Sequence, residues 1–160
     1  MSTSQRKLGY AVLGLGIGMA HADAAYASDR ADLVAVCDLI QEKMDKVVER
    51  YPGTKTYLEF DEMLKDAEID VISICLPSAM HADFAVRAME AGKNVLVEKP
   101  MARTYYECCD LIKTAKDNGD KYSTRIAFEL AVKGTVQEGF MKLYNSVIEL
   151  ITSRQVAYPD

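Results

Sequence analysis

A chain of 160 residues, 49% of them hydrophobic, can bury one proper core but not two full domains. Its net charge of -5, with acidic and basic side chains interspersed, argues against a nucleic-acid or anionic-membrane surface. The opening MSTSQRKLGY carries no apolar leader, and YAVLGLGIGMA is too short and too glycine-broken to span a bilayer. The expectation is therefore a soluble, cytoplasmic protein.

Strand-like runs fall at 8–14, 33–38, 54–57, 70–77 and 94–99, nearly continuous in apolar residues, as in strands covered on both faces. Helical stretches lie between them, at roughly 17–29, 40–50, 60–66, 79–91 and 103–118. In the fourth, Ala82, Ala85, Val86 and Met89 recur at helical spacing, and Gly92 stops the helix. Alternating signals of this kind predict an α/β fold, a doubly wound parallel sheet of order 3-2-1-4-5 with right-handed crossovers.

After Gly119 the pattern changes. DKYSTRIAFELAVKG reads as a last strand and a connection, and GTVQEGFMKLYNSVIELITS as one long helix. Phe140, Leu143, Tyr144, Val147, Ile148 and Ile151 form its apolar stripe, which Met141 and Leu150 widen. The expected division is residues 1–121 as one domain and 122–160 as a connection with an extra C-terminal helix. A stripe that wide exceeds what one sheet face covers, so a homodimer built on this helix is expected.

The four cysteines make no disulfide or zinc pattern: Cys37 and Cys75 sit in strand-like runs, and Cys108 and Cys109 are adjacent in a helical stretch. They read as reduced, small apolar residues, and no metal site is expected.

Chemistry concentrates in two segments. In VLGLGIGMAHAD, Gly14 and Gly16 close a strand and open a helix, where backbone N–H groups and the helix dipole can hold a pyrophosphate. The usual third glycine is displaced: Gly18 precedes its position and Met19 occupies it. Either the turn is one residue shorter, with Ile17 inside it, or the glycine register differs. A plain strand–helix turn is the bland alternative. Asp38 ends the second strand, where a carboxylate can bind both hydroxyls of an adenosine ribose. No arginine follows it directly, and a 2′-phosphate would be repelled, so NAD is favoured over NADP. Asp38 could instead cap the next helix.

The second segment is CLPSAMHADFAVRAMEAGKNVLVEKP. Leu76 and Pro77 end the fourth strand beside the first, His81 opens the following helix, and Glu98 and Lys99 end the fifth. All would meet at one edge of the sheet. Separately, His81 could be a cap or surface residue, and Glu98 with Lys99 a solvated pair.

Together, the glycine loop, the strand ending in Cys-Asp and ICLPSAMHADFAVRAMEAGKNVLVEKPMA resemble the glucose–fructose oxidoreductase and inositol dehydrogenase (Gfo/Idh/MocA) family over about residues 6–120. The resemblance implies a Rossmann-type NAD(P)-binding fold and oxidation or reduction of sugars, cyclitols and related compounds. It implies that Lys99 contacts a sugar-like small molecule and assists proton transfer, with Glu98 and His81 near the nicotinamide end. A partly desolvated ammonium there can stabilise a developing alkoxide.

Members of the family normally continue into a second α/β domain that supplies an aspartate and a histidine. No histidine follows His81, and VKGTVQEGFMKLYNSVIELITSRQV is similar to the family's terminal helix and tail. An internal deletion joining the two parts is the expectation. Three outcomes follow: an NAD-binding domain with little or no turnover, an oxidoreductase whose pocket another subunit completes, or a non-catalytic assembly module.

Overall fold

The computed structural model of the chain describes residues 6–118 and the short strand at 125–126. Strands and helices alternate: β1 (Leu8–Leu13), α1 (Gly18–Ala27), β2 (Ala31–Cys37), α2 (Gln41–Arg50), β3 (Lys55–Tyr57) and α3 (Phe60–Leu64). Then come β4 (Val71–Ile74), a 3-10 turn at Ser78–Met80, α4 (His81–Glu90), β5 (Asn94–Val97), α5 (Tyr105–Asp117) and β6 (Arg125–Ile126). All strand pairs are parallel, in the order β3-β2-β1-β4-β5-β6. The expected order holds, with β6 added beside β5 inside the segment read as a last strand.

Every residue of β1 and β4 is buried, which explains why their apolar runs lack alternation. Side chains still alternate between two layers. Leu8, Tyr10, Val12, Val71 and Leu96 face a layer with Ala22 and Ala25 of α1 and Met44 and Val47 of α2. Ala11, Leu13, Ile72, Ile74, Val95 and Val97 face the other, with Met63 of α3, Ala85 and Met89 of α4 and Leu111 of α5.

The strands are shorter at their carboxyl ends than the apolar runs suggest. β1, β4 and β5 stop at Leu13, Ile74 and Val97, so Gly14, Cys75–Pro77 and Glu98–Lys99 belong to the loops that follow. α5 begins with a reciprocal cap: Thr104 Oγ1 accepts the Glu107 amide at 3.2 Å, and Glu107 Oε2 accepts the Thr104 amide at 3.0 Å. The expected helix at about 135–152, and with it the helix-mediated homodimer, lies outside the described residues. No helix among the described residues is long and apolar enough to cross a membrane.

Candidate functional site

The chain leaves β1 toward β2 on one side and reaches β4 and β5 on the other, so the loops after β1 and β4 diverge and leave a crevice at the strands' carboxyl ends. The three glycines beside it do different jobs. Gly14 has φ of 88° and donates its amide to the Cys37 carbonyl at 2.8 Å. A Cβ there would stand 2.7 Å from the Cys75 carbonyl oxygen, so the β1 turn and the β4 tip are in backbone contact. At Gly18, a Cβ would come within 2.8 Å of Val12 Cγ1 and 3.2 Å of Cys75 Cβ. Gly18 therefore seats α1 on the sheet, the task of the displaced third glycine, and the turn is one residue shorter than the common pattern. Gly16 is different. It is exposed, and a Cβ on it would meet nothing within 4 Å.

Ile17, the residue before α1, makes no side-chain capping bond, and the Met19 and Ala20 amides turn back to the Gly16 and Ile17 carbonyls at 3.3 and 3.0 Å. Met19, one residue into the helix, is half-buried against the core layer.

Asp38 fastens the glycine turn to β2. Its Oδ2 accepts the Leu15 amide at 2.7 Å and its Oδ1 the Ile40 amide at 2.9 Å. Lys43, in the first turn of α2, places Nζ 3.2 Å from Oδ2 and 3.4 Å from Oδ1. Burial opposes the charge, yet the two amides and the ammonium together hold this carboxyl below its ordinary range. Asp38 is not a helix cap, because α2 starts after Ile40 with no side-chain capping bond. Exposed Ile17, Leu39, Ile40 and Leu58 follow β1, β2 and β3 on the same edge, giving apolar surface around a charged centre.

On the other side of the crevice, Leu76 lies over Gly14 and Pro77 leads into the 3-10 turn. His81 is buried: Nε2 is 2.7 Å from the Leu76 carbonyl oxygen and Nδ1 2.7 Å from that of Pro100. The ring therefore joins the β4 loop to the β5 loop rather than lying on the surface. Both partners only accept, so the ring is the donor in this bridge. Glu98 is half-buried beneath Lys99, and its Oε2 accepts the Lys99 amide at 3.1 Å. It is no solvated pair: Glu98 Oε1 is 3.0 Å from Nε2 of His21. That bond, against the opposing effect of burial, holds the Glu98 carboxyl below its ordinary range. Lys99 itself is exposed at the rim.

The crevice thus presents a helix start with no side-chain cap, an open glycine, a charged carboxylate at the β2 end and a lysine at the β5 end. The oxidoreductase family GFO_IDH_MocA, described as an NAD-binding Rossmann fold, matches residues 8–126. The chain belongs to this family. The inositol 2-dehydrogenase of Salmonella typhimurium (strain LT2) is 29% identical over 154 residues, 91% of this chain but 42% of its own length. The chain therefore spans less than half of the curated relatives it matches. The WlbA dehydrogenase of Chromobacterium violaceum, solved with NADH and UDP-GlcNAcA, is 30% identical with a TM-score of 0.70, over 77% of this chain and 35% of its own. GenD2 of gentamicin A biosynthesis, solved with NAD, is 30% identical with a TM-score of 0.72, over 78% of this chain and 35% of its own.

Three residues of this family member escape a reading of the motifs: Lys43, His21 and Ser73. Lys43 lies one helical turn past a loop whose path the sequence does not state. His21 and Ser73 had a signal, since each is a polar residue on an otherwise apolar stripe, Gly18-His21-Ala22-Ala25 on α1 and VISI in β4. Among the described residues, no group of His, Cys, Asp or Glu could hold a metal ion.

Proposed function

We propose that the chain is a dinucleotide-binding domain that holds NAD in the crevice between the β1 and β4 loops, with little or no dehydrogenase turnover by itself. The open position at Gly16 carries this reading. Gly16 is exposed and the protein's own atoms leave room for a side chain there, so the space is free for a ligand to approach the backbone. A pyrophosphate fits it in charge and place, beside N–H groups that no side chain caps.

The residues divide the ligand between them. Gly14, Gly16, Ile17 and Gly18 would receive the phosphates, with Met19 fixing the helix turn behind them. Asp38 would bind the adenosine ribose, and Leu76 and Pro77 would line the middle of the crevice. His81 and Glu98 would shape the far end, where Lys99 meets a sugar- or cyclitol-like hydroxyl. Bound there, the nicotinamide would supply a two-electron hydride carrier; the ammonium of Lys99 would stabilise an alkoxide and, in the reducing direction, give it its proton. Asp38 favours NAD over NADP by repelling a 2′-phosphate, and Lys43 softens that preference by neutralising part of its charge.

Calorimetric titration with NADH and NADPH tests the cofactor, and assays with polyols and sugars test turnover. The expected result is NADH binding tighter than NADPH and negligible turnover. Absence of binding to either would leave an assembly module. Robust turnover abolished by Lys99→Ala would establish a complete pocket, shared with another subunit.

A further inference from the structure

His21 is 0% exposed, yet it is a polar ring in a layer of apolar side chains. Strand alternation explains how its partners come to it. Ser73 points to the same face as Val71, and Glu98 continues the face of Leu96, both toward α1. The ring Nδ1 is 2.6 Å from Ser73 Oγ, and Nε2 is 3.0 Å from Glu98 Oε1. An ionised carboxylate only accepts, so Nε2 carries a proton and donates to Glu98, while the Ser73 hydroxyl, able to donate or accept, satisfies Nδ1. Glu98 then accepts the Lys99 amide on its other oxygen, at 3.1 Å. The line runs unbroken from β4 through α1 to the lysine.

A buried cluster of this composition is costly where Val, Leu and Met would pack, because each member has to be matched by a partner. It is also placed between two parts of the candidate site. α1 starts at the glycine turn, and His21 is its fourth residue, one helical turn from Gly18. Glu98 and Lys99 stand at the other side of the crevice.

We propose that His21 is the positioning residue of the Lys99 segment: held by Ser73, it fixes the Glu98 carboxylate on which the Lys99 amide closes, and so ties the lysine to the helix that opens at the glycine turn. The proposal rests on the crevice being the dinucleotide site with Lys99 at its reactive end. The other titratable groups facing the pair are Cys75 of the β4 loop, whose thiol burial pushes up to about 12, and Lys99. The Cys75 thiol does not change charge across the acid range in which Glu98 titrates.

Two near-isosteric variants separate positioning from space-filling. His21→Gln can put an amide N–H where Nε2 stands and keep the bond to Glu98. His21→Asn can reach only toward Ser73 and loses that bond. The Glu98 carboxyl is followed by carbon-detected NMR against pH in the full chain, and NADH affinity by calorimetry. The Gln variant is expected to keep Glu98 titrating as in the wild type and NADH affinity within about twofold. In the Asn variant Glu98 should rise toward the ordinary range, and NADH affinity should fall about fivefold, the worth of one hydrogen bond. Identical Glu98 titration in wild type, Gln and Asn variants overturns the proposal. If the Asn variant fails to fold, Ser73→Ala keeps the ring and removes only its hydroxyl partner. Glu98 should then move the same way by less, and no movement overturns the proposal equally. A wild-type chain that binds no NADH overturns the cofactor reading, while the carboxyl titration still decides whether His21 sets Glu98.

Discussion

Two glycines two residues apart should respond oppositely to one added methyl. Gly18→Ala drives a Cβ into Val12, a β-branched side chain with little freedom, and should destabilise the fold by about 1–3 kcal/mol. Gly16→Ala meets open space, so its melting midpoint should stay near that of the wild type while NADH affinity drops. Thermal melts and calorimetry on both variants check this, and a destabilised Gly16→Ala would mean the turn is packed where we find it open. At Asp38, the ammonium of Lys43 is already within 3.4 Å of both carboxylate oxygens. Asp38→Ser should therefore leave an unmatched lysine at the ribose position and shift the NADPH-to-NADH affinity ratio toward NADPH by about tenfold. Adding Lys43→Ala should abolish most of that shift. Equal ratios in the single and double variants would remove Lys43 from cofactor choice.

Among the elements, the α3–β4 loop is the electrostatic tie of the sheet's far half. Asp66 accepts Lys55 Nζ of β3 at 2.9 Å, the Tyr57 hydroxyl at 2.9 Å and the Glu68 amide at 3.0 Å. Its carbonyl accepts the buried Lys93 Nζ at 2.7 Å, beside β5. Lys55, foremost among these, lowers the Asp66 carboxyl to about 2. A carboxyl lowered by folding contributes stability above its unfolded value, and that contribution is lost as pH falls through the folded one. Urea melts should thus show about 1–2 kcal/mol disappearing between about pH 4 and pH 2. In Asp66→Asn that increment should already be missing at pH 7, and an unchanged acid limb would place the loss elsewhere. The elements themselves were legible, because apolar runs, helical spacing and the stop at Gly92 are local signals. Gly14 and Asp38 were legible for the same reason: strand ends announce themselves. The ties made by Lys43, His21 and Asp66 are contacts between residues apart in the chain, and only the polar His21 and Ser73 on apolar stripes hinted at one of them.

For the whole molecule, the strand order carries a consequence in time. β1 is made first, yet it is the centre of the sheet, flanked by β2 and by β4. Residues 14–70 must be synthesised before β4 exists, roughly 3–11 seconds at typical elongation rates. Through that interval β1 has one bare hydrogen-bonding edge and only half of its apolar cover. A nascent chain halted before Val71 should accordingly be digested rapidly by protease and held by chaperones. One released from the ribosome past Val97 should gain protection in a single step, since β4 and β5 close the open side together. Protection already present before Val71 would show that β1, β2 and their helices stand alone. The place where a dinucleotide would bind is also a seam that cannot close until residues 14–70 have been made.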